Sequence, residues 1–520
     1  MKYLLPSGKF LFLCFLIFYI GIGYCFTYVL EIYHNDALSR TALAFFTIYG
    51  RDPHLAAIGF VWQPLPSLLQ IPFLQLFKPF NLMLLSGPVV TSICGALCVA
   101  VIYKTGQLLY QGNKSFSGLL IALLFGLNPL IILYSSIGTS EMVFLIFLLL
   151  SSYFLIKYYY SHNQSNLLMA SGAIALSFWS RYEALPAFAG SVLVITLHLL
   201  LYKKSFRTIE STLLQYALPF FYSVLIWILA NWLIMKDPFY FMNSPYSNAS
   251  FTTAFKTNPG LLENSYHSFI NSLRYGFNRV LYLAPVIWLI PALGIPVVKN
   301  SDRRLRNLVL LCFITLPFAA IILFHTWQLY KGESFGWLRF FIYAIPMGTL
   351  LAFYFARRHT IMAILAIAFM AISIYTTWFS IVSPHLGREE NSFAQKLIDP
   401  NAQLDFSRTY LDQKTVALFM DKLPGKILLD TDKGFAIPLF AKNPNRYIIT
   451  SDIDYQQIVR SYSLHTDWLI LPQPVSDDRG QNKIYEFHPG IWEGNAPDIT
   501  LYKQIEGWRI FKVNRKVESI

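Results

Sequence analysis

The strongest constraint on this chain is a series of apolar stretches that follow one another over most of residues 10–382. Each is near 20 residues long, which as a helix matches the thickness of the bilayer hydrocarbon. We predict about eleven transmembrane helices, at about residues 10–30, 82–103, 117–134, 141–160, 165–180, 184–202, 213–235, 280–298, 307–326, 338–356 and 360–382. Asn128-Pro129 is predicted to break the third of them near its outer end. Composition agrees, because 13% of the residues are charged, against about 25% in soluble domains. A disordered chain, a soluble multidomain enzyme and a disulfide-stapled module are excluded.

Cationic side chains mark alternate loops between these stretches. One loop holds Lys203, Lys204 and Arg207, and another holds Arg357 and Arg358. Lys and Arg collect in short cytoplasmic loops, so the net charge of +13 indicates a membrane protein in contact with lipids, with no nucleic-acid partner. We predict a multi-pass protein of the cell membrane with a cytoplasmic N-terminus and an extracytoplasmic C-terminal domain.

The predicted α-helical polytopic fold has two domains. Residues 1–383 form the transmembrane domain with outer loops 31–81 and 236–279, and residues 384–520 form a small α/β domain outside the membrane. The role of this tail stays open between acceptor binding, a stabilising cap and partner docking. Short apolar runs between Asp, Gly, Asn and Pro residues predict strands at Lys426–Leu429, Arg446–Thr450, Trp468–Leu471 and Trp508–Val513.

The first outer loop carries a carboxylate just after the first predicted span. Helical spacing of apolar residues predicts a helix on the membrane surface, with the stripe Leu38, Ala42, Phe45, Phe46 and Tyr49. Asn35 or Asp36 would cap its N-terminus. Arg40 lies one turn after Asp36 and shares its face. A carboxylate and a guanidinium group are therefore predicted at the water–lipid boundary.

The loop continues with Gly50-Arg51-Asp52-Pro53-His54 and, later, Pro64-Leu65-Pro66. This sequence resembles the GT-C fold glycosyltransferases that use polyprenyl-phosphate sugars. Their first outer loop has the same features, namely an acid, an Arg a few residues on, a Gly-Asp turn and a proline segment. The protein O-mannosyltransferases and the lipid A aminoarabinose transferases are closest in pattern. Ala37 stands where the second acid of their acidic pair would be.

The resemblance implies transfer of a mannose-like hexose from a polyprenyl-phosphate donor to an outer-face acceptor, which is a protein, a lipid or a cell-wall glycan. A departing phosphate requires positive charge nearby, and an acceptor hydroxyl requires a base within hydrogen-bond reach. We therefore assign Asp36 as the general base of an inverting glycosyltransferase. The alternative is a polytopic transporter or lipid flippase without glycosyl transfer.

Further candidate substrate-binding residues lie in the first loop. Arg40 is one of them, and Asp52 and His54 could bind the acceptor or a metal ion. A divalent metal ion therefore stays open as a cofactor, although one Asp and one His do not make a metal site. An Arg-Asp-Pro turn explains these residues equally well.

Candidates also stand in the other outer turns. Ser140 can cap the next helix, with Glu141 in its first turn, where the helix dipole favours an acid. The resemblance implies instead that this turn, and Glu141 with it, faces the active site. Arg181 and Glu183 form either a structural pair or the lining of a sugar pocket.

The turn between the ninth and tenth predicted spans contains Lys331 and Arg339. These cations face outwards, against the positive-inside tendency, and a lipid phosphate would explain them. Anchoring at the membrane interface is the alternative. Arg339 is our leading phosphate ligand.

Overall fold

The structure is a computed structural model that describes residues 7–111, 115–244, 247, 260–292, 301–474 and 482–514. The chain divides into two compact units. The first comprises Met1–Leu30, Pro88–Tyr240 and Phe251–Ala402, and the second comprises Glu31–Gly87, Phe241–Ser250 and Gln403–Ile520. The first outer loop thus groups with the tail, and residues 384–402 group with the helices. The predicted division at residue 383 stays a prediction about functional domains.

The first unit is helical. In the described residues, eight helices are long and apolar enough to cross a membrane, or up to nine if the bent pair Phe116–Gly126 and Pro129–Ser136 is one span. The eight are Gly8–Val29, Met83–Leu109, Glu141–Ser161, Ala184–Leu201, Phe206–Met235, Leu305–Lys331, Leu338–Ala356 and Thr360–Val382. The expected polytopic helical class is confirmed.

Two of the predicted spans differ from the helices observed. The segment at 165–180 is the helix Gln164–Phe178, whose 15 residues are too few to cross a bilayer alone. The segment at 280–298 coincides with the end of the helix Phe269–Leu283, followed by a single turn at Pro285–Trp288. Residues 293–298 lie outside the described residues.

Local sequence determines several helix ends in this unit. The bend of 57° between Phe116–Gly126 and Pro129–Ser136 lies at Asn128-Pro129, as predicted. The Asn128 side chain accepts a hydrogen bond from the Leu130 N–H, and Pro129 occupies the first helical position, where its missing N–H costs nothing. The span Leu305–Lys331 is part of the helix Ser301–Lys331, and the span Leu338–Ala356 joins a 3₁₀ turn at Leu338–Phe341 to the helix Ala344–Ala356. Short helices at Pro384–Gly387 and Glu389–Ile398 follow the last span.

Two of the long helices of this unit pack closely against each other at a glycine. The helix Ala184–Leu201 packs against Ser301–Lys331. A Cβ atom at Gly190 would lie 2.6 Å from the carbonyl oxygen of Leu316, so only glycine permits this approach. Small residues are used in this way where lipid-embedded helices associate.

The second unit contains a five-stranded sheet. Its strands are β1 (Ile427–Leu429), β2 (Tyr447–Ile448), β3 (Trp468–Pro472), β4 (Ile499–Ile505) and β5 (Trp508–Val513), in the order β2-β1-β3-β5-β4. β1 pairs with β2 and β3 in parallel, and β5 pairs with β3 and β4 antiparallel. All four predicted strands are present; β4 was not predicted, because its charged and polar side chains hide the alternation.

The helix Asn35–Tyr49 packs in the core of this unit. Its stripe residues Leu38, Ala42, Phe45 and Phe46 are buried with residues of β1, β3 and the helix Leu411–Met420. The predicted surface helix is therefore a helix, but its apolar face is covered by protein rather than exposed to lipid. The unit's other helical segments include Leu55–Ile58, Leu65–Leu68, Ile71–Phe77, Ala436–Phe440, Tyr455–Arg460 and Lys483–Phe487.

Candidate functional site

Asp36 lies in the first turn of the helix Asn35–Tyr49 and is partly buried. The N-cap is His34, whose Nδ1 accepts a hydrogen bond from the Asp36 N–H at 3.2 Å, so the predicted cap at Asn35 or Asp36 is wrong. The Asp36 carboxylate is therefore not used as the cap. Arg40 donates from Nη1 to the carbonyl oxygen of Gln63 at 3.2 Å, which ties the helix to the proline segment that follows.

The turn after this helix is bound to the C-terminal part of the same unit. Arg51 donates from Nε to Asp452 at 2.9 Å and also forms an ion pair with Asp454. The Asp52 carboxylate accepts a hydrogen bond from the Ile453 N–H at 3.0 Å. His54 Nδ1 lies 2.6 Å from the Asp52 carbonyl oxygen. Asp52 and His54 thus have structural partners, and their predicted role in substrate binding stays a prediction.

Asp52 and His54 are the candidate metal ligands of the first outer loop. Among the described residues, no group of three or more His, Cys, Asp and Glu side chains is placed to hold one. His54 Nδ1 lies 3.9 Å from the Asp52 carboxylate, and a pair of ligands is too few for a metal site.

In the first unit, the partly buried guanidinium group of Arg181 and the buried one of Arg339 converge at the ends of helices. Arg181 donates from Nη1 to the Glu141 carboxylate at 2.6 Å and from Nη2 to the Glu183 carboxylate at 2.6 Å. It also donates to the Ser140 hydroxyl at 3.0 Å. Ser140 occupies the N-cap position of Glu141–Ser161 without a side-chain cap bond, because its hydroxyl accepts from Arg181 instead.

Charge and burial together shift the pKa of Glu183. Burial alone raises the pKa of this carboxyl, but the charge of Arg181 and the contact with His325 outweigh burial and hold the pKa below its usual range. Burial lowers the pKa of Arg181, and its two carboxylate partners more than reverse that, so the pKa is raised. Both groups are therefore ionised at neutral pH.

The second guanidinium group belongs to Arg339, which is 5% exposed. Its Nη1 lies 3.7 Å from the Glu141 carboxylate, and its Nε lies 3.5 Å from Glu389. Both distances exceed the 2.7–2.9 Å of a strong charge-assisted hydrogen bond. Its plane also stacks on Trp337, with the guanidinium carbon 4.4 Å from the ring centre. We call Arg181, Arg339 and the carboxyl groups around them (Glu141, Glu183, Glu389 and Glu390) the arginine cluster.

The glycine-rich turn before Arg339 is fixed at three carbonyl oxygens. Tyr266 donates to Gly332 at 2.9 Å, Tyr275 to Gly336 at 2.8 Å and Arg388 to Phe335 at 2.8 Å. Both glycines have positive φ, +69° and +62°, a conformation that other residues adopt only with strain. The sequence therefore forms a rigid turn that presents Arg339 to the cluster.

Two members of the arginine cluster were missed by sequence reasoning. Glu389 and Glu390 begin the helix Glu389–Ile398 after the last span, and the predicted boundary had placed them in the tail. Glu390 accepts hydrogen bonds from the Tyr134 hydroxyl at 2.6 Å and from the Arg339 N–H at 3.1 Å. Adjacent acids just beyond a span are the same kind of signal that singled out Asp36.

His325 and Tyr343 add buried polar atoms beside the cluster. His325 Nε2 lies 3.6 Å from Glu183, too far for a hydrogen bond, and its ring stacks on Phe340 at 4.8 Å. In the described part of the chain, neither the His325 ring nitrogens nor the Tyr343 hydroxyl has a hydrogen-bond partner. Buried polar groups of this kind need water or a ligand.

Sequence-predicted residues thus fall into two groups. Glu141, Arg181, Glu183 and Arg339 share one network of ion pairs, whereas Asp36, Arg40, Asp52 and His54 lie in the second unit. Lys331 is exposed at the end of its helix, with Nζ 5.8 Å from the Trp327 ring centre, as expected of an interface anchor; its predicted contact with substrate stays a prediction.

Comparison with known proteins gives the fold. Residues 64–227 match the sequence model of a family described as dolichyl-phosphate-mannose-protein mannosyltransferase, and no curated protein sequence matches. Similar solved structures include ArnT from Cupriavidus metallidurans bound to undecaprenyl phosphate, with a TM-score of 0.54 and 9% identity over 97% of this chain and 98% of that one. The apo state of ArnT gives a TM-score of 0.53 and 11% identity over 95% and 97%.

These findings confirm the GT-C fold that the resemblance implied. The similarity to ArnT covers nearly the whole chain, whereas the family match covers residues 64–227. The protein is a multi-pass membrane protein of the GT-C fold, similar in fold to ArnT, with a segment that matches the dolichyl-phosphate-mannose-protein mannosyltransferases.

Proposed function

We propose that this protein transfers a mannose-like hexose from a polyprenyl-phosphate donor to an acceptor at the outer face of the cell membrane. The acceptor is a protein, a lipid or a cell-wall glycan. The observation that carries the proposal is the arginine cluster, in which the partly buried guanidinium group of Arg181 and the buried one of Arg339 meet at Glu141. ArnT, which has the same fold, binds undecaprenyl phosphate.

The arginine cluster has the chemistry that a lipid phosphate requires. One guanidinium group can donate hydrogen bonds to two oxygens of a phosphate at once. Fixed positive charge also stabilises a phosphate leaving group. The long carboxylate contacts of Arg339, 3.5 and 3.7 Å, can be exchanged for shorter contacts to a phosphate. Arg339 is therefore the proposed phosphate ligand, and Arg181 fixes Glu141 beside it.

Buried polar atoms next to the arginines suit a sugar. The His325 ring nitrogens and the Tyr343 hydroxyl lack hydrogen-bond partners among the described residues. Sugar hydroxyl groups both donate and accept, so they can satisfy a ring nitrogen and a phenol at once. We assign this side of the cluster to the hexose of the donor.

Asp36 remains the proposed general base. It is partly buried, and His34, rather than the carboxylate of Asp36, caps the helix. We assign this carboxylate to accept the proton of an acceptor hydroxyl that lies within hydrogen-bond reach. In this proposal Asp36 is the general base of inverting transfer.

The alternative, a transporter or flippase, predicts charged residues in the middle of spans. In the eight described spans, charged residues stand close to helix ends, as Lys104, Lys157 and Glu210 do. Catalysis at the membrane boundary fits this distribution better than a charged path through the membrane.

The test is release of polyprenyl phosphate from labelled polyprenyl-phosphate hexoses by the purified protein. We expect wild type to release the lipid in the presence of acceptor membranes and Asp36→Asn to lose at least about 10²-fold in kcat, the range of general-base catalysis. Glu31→Gln is the matched control, because Glu31 is exposed and pairs only at the surface with Lys414. Near-wild-type turnover by Asp36→Asn would remove it as the base.

A further inference from the structure

Glu390 is a buried carboxyl group to which the proposed function gives no role. It is 1% exposed and lies just beyond the span Thr360–Val382. Its Oε1 accepts two hydrogen bonds, from the Tyr134 hydroxyl and from the Arg339 N–H. Its Oε2 has no hydrogen-bond partner among the described residues. Leaving a buried oxygen in this state costs free energy, so its placement calls for a reason.

The contact with Arg339 acts on the backbone that presents the guanidinium. The Arg339 N–H lies in the first turn of Leu338–Phe341, where N–H groups have no acceptor within the helix. Trp337, at the N-cap, provides no side-chain bond. Glu390 therefore provides an acceptor for this turn, while Glu389 contacts the Arg339 side chain at 3.5 Å.

The charge around Glu390 favours its neutral form. The arginine cluster contains four carboxyl groups and two guanidinium groups, so a fully ionised cluster would carry a net negative charge before any phosphate arrived. Facing Glu390 within this unit are Glu389, Arg339 and the Tyr134 phenol, and Glu141 acts on the same phenol. Burial, with a smaller contribution from Glu389, raises the pKa of Glu390 to about 7 against the opposing effects of Tyr134 and Arg339.

We propose that Glu390 is a positioning residue for the donor phosphate, which in its neutral form holds Arg339 in place and whose ionisation weakens phosphate binding. The neutral carboxyl keeps both accepted hydrogen bonds and adds no negative charge. The carboxylate keeps the bonds, but its charge repels the incoming phosphate. This inference rests on the proposed function, because it assumes a phosphate at Arg339.

The experiment measures the affinity of the full-length protein in detergent micelles for undecaprenyl phosphate, from about pH 5.5 to about pH 8.5. Wild type is compared with Glu390→Gln, which keeps an accepting oxygen but cannot ionise. The second ionisation of the probe, near pKa 6, is the same for both proteins and cancels in the ratio of their dissociation constants. Thermal unfolding confirms that each variant is folded.

We expect the ratio of wild-type to Glu390→Gln dissociation constants to be near one at low pH and to rise to about threefold to tenfold at high pH, where tenfold corresponds to a shift of one pKa unit. When both proteins also carry Glu389→Gln, the ratio should rise at lower pH, because this substitution removes a charge that raises the pKa of Glu390. Glu486→Gln, an exposed acid on the tail paired with Lys483, should leave the profile unchanged.

A ratio that stays constant over the whole range, or a Glu390→Gln variant that binds weakly at every pH, overturns the positioning role and leaves the proposed donor intact. If the wild-type protein does not bind undecaprenyl phosphate at any pH, the polyprenyl-phosphate donor and the role of Glu390 are both overturned. The two failures are therefore distinguishable.

Discussion

Replacing Arg181 by methionine removes the positive charge that holds two buried carboxylates. The side chains of Glu141 and Glu183 are 1% and 10% exposed, and each accepts from Arg181 at 2.6 Å. Removing one partner of a buried ion pair costs about 3–5 kcal/mol, because the other charge is left without compensation. Arg181 leaves two such charges, so we expect Arg181→Met to lower the free energy of unfolding by at least about 3 kcal/mol.

The assay is thermal unfolding of the purified protein in detergent micelles, together with its yield in membranes. Arg207→Met is the matched control, because Arg207 is exposed and surface substitutions usually change the free energy by no more than about 0.5 kcal/mol. Adding Glu183→Gln to Arg181→Met should recover part of the loss. Equal unfolding temperatures for Arg181→Met and Arg207→Met would refute the buried ion-pair network.

The pH dependence of the destabilisation by Arg181→Met is a second test of the ion-pair network. In wild type, the lowered pKa of Glu183 stabilises the fold above the ordinary glutamate pKa of about 4.3, and this stability is lost as the pH falls below that value. In Arg181→Met, burial is left as the main influence and raises the pKa of Glu183. The destabilisation by Arg181→Met should therefore be largest near neutral pH and shrink as the pH is lowered towards the glutamate pKa.

Two further substitutions test the parts that hold the site. Arg51→Ala should lower the free energy of unfolding by about 1–3 kcal/mol and expose the tail to proteolysis, because Arg51 pairs with Asp452 and Asp454; an unchanged digestion pattern would contradict this. Gly332→Ala should lower activity and unfolding temperature together, because its φ is +69° and a Cβ would lie 2.2 Å from the Tyr266 ring. A Gly332→Ala protein with wild-type donor KM would show that the turn is not needed to present Arg339.

Much of the fold follows from local patterns in the sequence. Apolar length predicted the spans because each helix must satisfy its own backbone in the bilayer. The bend at Asn128-Pro129 and strands β1, β2, β3 and β5 follow from residue types at neighbouring positions. The sequence did not predict what covers the apolar stripe of the helix Asn35–Tyr49. The stripe packs against protein instead of lipid, because residues far away in sequence, such as those of Leu411–Met420, cover it.

The site shows the same division. Glu141, Arg181, Glu183 and Arg339 could be found because each is an ionisable residue in an outer turn beside a predicted span, where cations depart from the positive-inside tendency. The structure joins them by ion pairs. Glu390 could not be placed, because its acceptor role exists only where a helix beyond the last span meets the Arg339 turn. The local sequence around Glu390 is the same as that of an acid exposed to solvent at the start of a helix.

The central claim is that Arg339 binds the phosphate of a lipid-linked sugar donor, and donor kinetics test it most directly. Steady-state rates of Arg339→Ala and wild type are compared over a range of polyprenyl-phosphate hexose concentrations, with Lys503→Ala, an exposed cation on β4, as control. We predict that Arg339→Ala lowers kcat/KM for the donor by at least about tenfold, as loss of a charged hydrogen bond of about 1.5–3 kcal/mol requires, while Lys503→Ala matches wild type. Unchanged kcat/KM in Arg339→Ala would contradict the claim.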